Sequence, residues 1–353
     1  MTIHVTLPGM NMDEKLHFAD LPAHLLEWYS RSARQLPWRI GPGDRARGIK
    51  PDPYRVWLAE IMLQQTTVPH ATRYYLAFTQ RWPSVQTLAA AQDEVVMAAW
   101  AGLGYYARAR NLLKCARAIA ARGAWPETVE GLRELPGIGP YTAGAIAALA
   151  FGQRAAAVDG NVDRVFARLM ALKGDWKLEK TRLKSVVEDL VPRAHPAEFA
   201  EALMDLGATI CTPKSPNCSI CPLRSMCAAR AEGAAERYPI KPKKVPKPTR
   251  HGHVYLLLGA DQTVRTERRP DKGLLGGMMG LPTSDWSEGV EDAVFPAQAD
   301  WQDAGEVRHV FTHFALILRV WCAPAPGGSE TTAIEAAADA LPSVFAKALK
   351  LVV

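Results

Sequence analysis

The sequence predicts a two-domain protein in which an all-α domain precedes a smaller α+β domain. From Leu21 to Arg230, apolar residues recur at helical spacing, and no alternating strand pattern interrupts them. After His251 the pattern changes to period two, first in HVYLLLGA and later in a long run over 308–321, before a last helix at Pro342–Leu351. Between the domains, lysine and arginine alternate with proline, which predicts an extended linker at 231–250. The 353 residues suffice for two hydrophobic cores.

Composition favours a globular protein with a polyanionic partner. The formal net charge is +6 at pH 7, and 48% of the residues are hydrophobic. Residues 1–20 carry acids where a signal peptide needs an apolar core, so they are interpreted as a loosely ordered extension. The most apolar run, Ala143–Phe151, is too short to cross a bilayer. We therefore expect a soluble protein of the reducing cytoplasm, associated with the bacterial nucleoid, that binds no membrane.

The first domain contains one carboxylate in an unusual setting. Helices are predicted around Leu25, Trp28 and Tyr29, and at Tyr54–Thr67, Ala71–Gln80, Glu94–Trp100, Tyr105–Ala121, Leu178–Val191 and Ala197–Ile210. Within the second of these, Glu60 lies in VWLAEIMLQQT, which is apolar nearly all round. Glu60 is therefore buried or lines a cleft, and burial raises a carboxyl pKa toward the range useful for a general acid. The preceding loop IGPGDRARGIKPDP (40–53) is interpreted as a solvated surface insertion, with a position near nucleic acid as the alternative.

A glycine-rich corner separates two further helices. One helical run ends at Leu135, the turn Pro136-Gly137-Ile138-Gly139 follows, and Pro140 begins the next run. Gly137 and Gly139 can take positive φ and expose their amides, and the N-terminus of the second helix can bind a phosphate. Asp159 then precedes another helix, where a carboxylate is either an N-cap or a chemical group. A tight αα corner is the plain alternative, but together the two features favour chemistry on a nucleic acid backbone.

Four cysteines predict a metal site or an iron–sulfur cluster. They are spaced Cys211-x6-Cys218-x2-Cys221-x5-Cys227. Disulfides are disfavoured in a reducing compartment, and four thiolates can hold either a cluster or zinc. Cys115 and Cys322 lie alone in the sequence and are interpreted as core thiols.

These motifs resemble those of the MutY-type adenine DNA glycosylases, members of the helix-hairpin-helix superfamily related to endonuclease III. The resemblance covers most of the chain and is carried by LPWR (36–39), AEIMLQQT (59–66), GLGYY (102–106), the glycine corner, the cysteine loop and the C-terminal domain. It implies excision of adenine opposite 8-oxoguanine or guanine in duplex DNA by a monomer that extrudes the base. It also implies a structural [4Fe–4S] cluster on the four cysteines, in a loop that carries Lys214 and Arg224 towards phosphates.

The resemblance also assigns roles to individual residues. Glu60 would transfer the proton that makes adenine a leaving group and then activate water, and Asp159 would stabilise the oxocarbenium-like sugar. Tyr141 and Asn161 would support these groups by hydrogen bonding. Gln65 and Tyr105 would insert into the duplex beside the oxidised guanine, and Thr66 and Leu103 would contact that base. Trp38, Arg39 and Glu201 would line the adenine pocket. Core packing is the alternative for Trp38, Leu103 and Tyr105.

Tyr141 and the C-terminal domain narrow the expected activity. Endonuclease III-like relatives that cut the strand carry a lysine at the position of Tyr141, and tyrosine cannot form a Schiff base, so a monofunctional glycosylase is predicted. The C-terminal domain resembles a Nudix-related domain that recognises 8-oxoguanine, through TERRP (266–270), GLLGG (273–277) and Phe311-Thr312-His313. Threonine replaces a family serine at 312, and Met279 and Leu281 stand where relatives often carry aromatics. A Glu-rich metal-binding helix is absent, so nucleotide hydrolysis is not expected.

Two other functions remain open from the sequence. A thymine-mismatch glycosylase also carries the hairpin tyrosine and the iron–sulfur loop, but the lesion-reading domain argues against it. A non-catalytic iron–sulfur protein that binds DNA or senses redox state is the other, and the presence of both Glu60 and Asp159 argues against it.

Overall fold

A computed structural model describes residues 11–240, 246–270 and 273–353 of the chain. The chain divides into two compact units, Met1–Lys243 and Lys244–Val353, and each is described by itself. Among the described residues, every helix is either too short or too polar to span a membrane.

The first unit is helical. Its helices are α1 (Met12–His17), α2 (Leu21–Ser32), α3 (Pro42–Ala46), α4 (Pro53–Leu63), α5 (Val68–Arg81), α6 (Val85–Ala89), α7 (Asp93–Ala99), α8 (Ala107–Arg122), α9 (Val129–Arg133), α10 (Pro140–Phe151), α11 (Gly160–Leu169), α12 (Trp176–Leu190), α13 (Pro196–Thr209) and α14 (Ala228–Ala231). The long helices lie within a few residues of their predicted bounds. The clearest difference is at the end of α4, which stops at Leu63 because Gln64 is extended and Gln65 has a φ of 59°.

Two hydrophobic clusters form the core of this unit. One contains the apolar faces of α4, α5, α8 and α10, and the other contains those of α2, α11, α12 and α13. Helix α4 begins with Pro53 after an Asp52 N-cap and buries Tyr54 and every residue from Val56 to Met62, as its all-round apolar sequence predicts. Helices from both clusters therefore border the space beside Glu60.

The glycine corner joins α9 to α10 as a helical hairpin. Gly137 has a φ of 77°, and a Cβ there would lie 2.7 Å from the Asn111 Cβ, so the position requires glycine. Gly139 has a φ of −85° and is the N-cap of α10, so only one of the two glycines uses positive φ. Both glycines are exposed at the N-terminus of α10.

Two segments differ from expectation. Residues 1–10 lie outside the described residues, but residues 11–20 are not loose, because Asn11 and Glu14 form a capping box on α1 and Phe18 is buried. Residues 231–240 also differ from the prediction, because they are structured rather than extended. They include a 3-10 helix at Ala235–Arg237 and the buried Tyr238, whose main-chain oxygen accepts a hydrogen bond from Arg168. The predicted linker residues 241–245, including Lys241, Lys243 and Lys244, lie outside the described residues.

The second unit is an α+β domain. Its strands are β1 (Thr249–Gly259), β2 (Thr263–Val264), β3 (Glu267–Arg268), β4 (Met279–Gly280), β5 (Gln302–Val310), β6 (Ala315–Pro324) and β7 (Thr332–Ala333), and its helices are α15 (Ile334–Ala340) and α16 (Ser343–Leu349). Five strands form a sheet in the order β5-β6-β1-β2-β7, in which β1 and β6 are parallel. The apolar run predicted over 308–321 is two strands rather than one, because Phe311-Thr312-His313 turns the chain between β5 and β6.

Candidate functional site

Glu60 is a buried carboxylate that lines a cavity. It lies in the third turn of α4, is only 6% exposed, and borders a cavity of about 400 Å³. Burial raises the pKa of Glu60 to about 7, against the opposing effects of a Tyr141 hydrogen bond and the Arg39 charge. Burial also raises the pKa of Tyr141, so that hydroxyl stays neutral and can donate to Glu60. The group is therefore suited to exchange a proton near neutral pH.

Asp159 lines the same cavity and is held by three hydrogen bonds. It is the N-cap of α11, and its Oδ1 accepts from the main-chain nitrogens of Asn161 at 2.9 Å and Val162 at 2.8 Å. Its Oδ2 accepts from the Asn161 side chain at 2.9 Å. Both carboxylate oxygens of Asp159 are therefore hydrogen-bonded at the start of α11. Asp159 is therefore an N-cap whose carboxylate also borders the cavity, so the two roles offered by the sequence are compatible.

The cavity brings together most of the first-unit residues expected to act on the mispair. Its lining includes Trp38, Arg39, Glu60, Gln65, Thr66, Tyr141, Asp159, Asn161 and Glu201. Leu103 and Tyr105 are not part of it. The Leu103 side chain is 4% exposed and packs in the core, whereas Tyr105 is 55% exposed on the adjoining loop.

Two acids on α13 form an ion-pair network beside this cavity. Tyr29 donates to Glu201 Oε2 at 2.7 Å, and Asp205 Oδ1 accepts from Arg34 Nε at 2.6 Å and Arg39 Nη1 at 2.7 Å. Both acids are buried, and their spacing of four residues puts them on one face of α13. Sequence reasoning missed Asp205, Arg34 and Tyr29, although Glu201-x3-Asp205 in an otherwise apolar helix was an available signal.

A buried arginine holds the two turns that carry Gln65 and Tyr105. Arg108 donates to the main-chain oxygens of Ile61, Met62 and Gln64 at the end of α4, and to those of Leu103 and Gly104 in the adjoining loop. Gln65 and Tyr105 have φ values of 59° and 51°, a region that non-glycine residues rarely adopt. Desolvation lowers the pKa of Arg108 to about 10. Sequence reasoning missed this residue, because nothing local indicates which carbonyls it binds.

The four clustered cysteines line one small cavity in the first unit. None of them forms a disulfide, and Cys211, Cys218, Cys221 and Cys227 face the same space together with Arg168. Arg168 Nη1 lies 3.3 Å from Cys211 Sγ and also donates to the main-chain oxygen of Thr212, while Nη2 donates to that of Pro213. Among the described residues no three such side chains converge on a single metal ion. Four thiolates that face one space are the donor set that a [4Fe–4S] cluster takes.

Arg164 connects the cysteine loop to Asn161, the residue whose side chain donates to Asp159. Arg164 donates from Nη2 to Asn161 Oδ1 at 2.8 Å and from Nε to the main-chain oxygen of Cys211 at 2.8 Å. Helices α11 and α13 approach closely here, because a Cβ on Gly207 would lie 2.6 Å from the Asn161 Cβ. The position of Asn161, and through it Asp159, therefore depends on the loop that begins at Cys211.

In the second unit, the expected lesion-reading loop is a turn between two strands. Phe311 stacks on Trp286 with ring centroids 6.0 Å apart, while Thr312 and His313 are exposed. Leu281 is buried in the core of this unit and Met279 is half-buried in β4. Thr312 and His313 are thus the accessible side chains of the motif.

Comparisons with known proteins agree with this arrangement. The profile of the HhH-GPD superfamily base excision DNA repair proteins matches residues 58–189, that of the iron-sulfur binding domain of endonuclease III matches 211–227, and that of the NUDIX domain matches 253–351. The adenine DNA glycosylase of Homo sapiens is 34% identical to this chain, over 88% of the chain and 68% of the human protein. The chain belongs to the adenine DNA glycosylase family.

Other relatives agree with this membership. The adenine DNA glycosylase of Buchnera aphidicola subsp. Baizongia pistaciae is 34% identical over 73% of this chain and 72% of its own length. That of Mus musculus is 45% identical over 59% of this chain, but the match spans only 41% of the mouse protein. A solved thermostable thymine-DNA glycosylase is 27% identical, with a TM-score of 0.54 over 62% of this chain and 99% of its own.

Family membership settles three of the predictions. The fold class is confirmed as a helix-hairpin-helix domain followed by a Nudix-like α+β domain. As a family member, the chain is a DNA glycosylase, which is a hydrolase of base excision repair. The cofactor is confirmed as a [4Fe–4S] cluster, and the segment matched by the iron-sulfur binding domain contains the four clustered cysteines.

Proposed function

We propose that this adenine DNA glycosylase removes adenine opposite 8-oxoguanine, and opposite guanine, from duplex DNA without cutting the strand. The proposal rests on one observation, that Glu60 and Asp159 line the same cavity in unlike surroundings. One carboxyl is buried among apolar residues and the other accepts hydrogen bonds at a helix start. Such a pair can divide the roles of acid and anion.

The base must leave the helix to reach this cavity. A glycosidic bond inside a stacked duplex is inaccessible to side chains that lie within a pocket, so the adenine nucleotide is rotated out of the stack. Extrusion of the nucleotide would involve two turns that Arg108 holds together through main-chain oxygens. Gln65 and Thr66 lie on the turn that lines the cavity, and Tyr105 lies on the adjoining one. The exposed Gly137 and Gly139 amides at the start of α10 are suited to bind a phosphate nearby.

The chemistry then follows from the two carboxyls. Glu60 in its protonated form gives its proton to a ring nitrogen of adenine while the bond between the base and C1′ breaks. The bonding electrons leave with the base, and the positive charge that develops on the sugar faces Asp159. A water molecule adds to C1′, and its proton passes to the Glu60 carboxylate, which restores the acid. Tyr141 and Asn161 hold the two carboxyls in place.

Strand cleavage is not expected, because no lysine lines the described cavity. Tyr141 lines the cavity together with Glu60 and Asp159, and a hydroxyl cannot form a Schiff base with the sugar. We propose further that residues 21–230 form the catalytic domain and that 251–353 recognise 8-oxoguanine through the exposed Thr312 and His313. The solved relative described as a thymine-DNA glycosylase makes T:G the competing substrate.

A panel of duplexes tests the proposal. Single-turnover reactions on A:8-oxoguanine, A:G and T:G duplexes would be followed by alkaline cleavage, with an untreated aliquot as the control for strand cutting. We expect product from the first two duplexes only after alkali, and none from T:G. Excision of thymine alone, or strand breaks without alkali that borohydride can trap, would contradict the proposal.

A further inference from the structure

The segment 40–53, which was expected to be a solvated surface insertion, contributes the Arg45 side chain to the lining of the catalytic cavity. Helix α3 lies within this segment, and the Arg45 side chain at its end is only 12% exposed. Two residues later, the Arg47 side chain is 73% exposed and pairs with Asp44 on the surface. The expectation of a solvated segment is therefore wrong for Arg45, and Arg47 is a matched surface residue of the same type.

The Arg45 guanidinium is held at both ends. Its Nε donates to the main-chain oxygen of Ile40 at 3.1 Å, so its orientation is set by its own segment. Its Nη2 donates to Glu201 Oε1 at 3.3 Å, and both residues line the catalytic cavity. A planar guanidinium fixed in this way also fixes the carboxylate that it binds.

Arg45 is the nearer of the two cations to Glu201. Arg39 lies 3.7 Å from Glu201 Oε1 but 2.7 Å from Asp205, which it shares with Arg34. Burial raises the pKa of Glu201, and Arg39 and Arg45 oppose that effect. Without Arg45, the buried Glu201 would lose its closest cation and the partner that orients Oε1.

The charge of Glu201 matters for base selection. An ionised carboxylate only accepts hydrogen bonds, so in this cavity it pairs with a donor such as the exocyclic 6-amino group of adenine. A purine without that amino group gives the carboxylate nothing to bind, and a buried acceptor without a partner is costly.

We propose that Arg45 is a specificity-determining positioning residue, which holds the Glu201 carboxylate so that the cavity favours a purine carrying a 6-amino group. This inference rests on the proposed function, in which the extruded adenine enters this cavity. Arg45 acts through Glu201, so its loss should matter for the amino group and not for the glycosidic bond itself.

The test compares adenine with unsubstituted purine, each placed opposite 8-oxoguanine. Single-turnover excision would be measured for the parent protein, Arg45→Ala, Arg45→Lys and the surface control Arg47→Ala. Arg45→Ala should lower adenine excision roughly tenfold, as expected for loss of a hydrogen bond to a charged group, and leave purine excision unchanged. Arg45→Lys should restore part of the loss, and Arg47→Ala should behave like the parent. Binding to a duplex with a stable abasic analogue should be equal in all four, because no base then fills the cavity.

The results that would overturn the role of Arg45 differ from the result that would overturn the proposed function. Equal losses on adenine and purine, weaker abasic-duplex binding by Arg45→Ala, or no loss at all would overturn the role of Arg45. If the parent protein itself excises no adenine, the proposed function fails instead, whatever the variants do.

Discussion

Replacing Glu60 by glutamine should inactivate the enzyme and stabilise it at alkaline pH. The folded protein holds Glu60 with a pKa raised from 4.5 to about 7, mainly because burial disfavours its charge. Below pH 4.5 the carboxyl is protonated in both states, so burial carries no charge penalty. As the pH rises from 4.5 to about 7, the carboxyl ionises in the unfolded state while burial keeps it protonated in the folded state, so stability falls.

The magnitude follows from the two pKa values. The difference between 4.5 and about 7 corresponds to about 3 kcal/mol of folding stability. The parent protein loses this stability between those two pH values, whereas Glu60→Gln keeps it, because glutamine has no charge to bury. For a unit of this size, that is a rise in melting temperature of roughly 6–12 °C at pH 8, with little difference from the parent near pH 4.5. Glutamine keeps the shape and can still accept from Tyr141.

The assay is thermal or denaturant unfolding of both proteins at pH 5 and pH 8. Asp159→Asn is the matched control, because it makes the same carboxyl-to-amide change at a helix N-cap, where asparagine caps as well as aspartate. The reasoning is refuted if Glu60→Gln is no more stable than the parent at pH 8, or if its gain is the same at both pH values. Excision by the parent should also decline above about pH 7, because a proton donor must be protonated.

Three further predictions concern the groups around the cavity. Asp159→Asn should lose excision while keeping duplex affinity, measured by single-turnover kinetics and electrophoretic mobility shift, and retained excision would argue against its role. Arg108→Met should destabilise the first unit by about 3–5 kcal/mol in denaturant unfolding, because five carbonyls lose a buried donor. Arg73→Met, at an exposed position of α5, should cost little. Arg164→Leu should reduce excision with the cluster still visible in the absorption spectrum, and unchanged excision would show that Asp159 does not depend on Cys211.

Local patterns predicted the fold and part of the site. The all-round apolar sequence of α4 identified Glu60 as buried, and Pro140 after a glycine corner identified the start of α10. The cysteine spacing identified a metal or cluster loop, and the family resemblance favoured the [4Fe–4S] cluster. These features are visible because each depends on residues close together in the sequence.

The remaining features depend on contacts between distant segments. Arg45 was expected in solvent, because its loop is rich in glycine, proline and charge and its partner Glu201 lies on α13. Residues 11–20 and 231–240 were expected to be loose, because their order depends on distant partners, such as the Met226 oxygen that binds His17 and the Arg168 that binds the oxygen of Tyr238. Such pairings leave no periodic signal in the sequence.

The most direct measurement is the single-turnover rate of adenine release from an A:8-oxoguanine duplex, for the parent, Glu60→Gln and Asp159→Asn under conditions where all three are fully bound. We predict release by the parent and a loss of at least about 100-fold in each variant, in line with what a positioned acid or an anion beside the developing charge contributes. A variant that releases adenine at nearly the parental rate would show that the two carboxyls sharing this cavity do not perform the reaction.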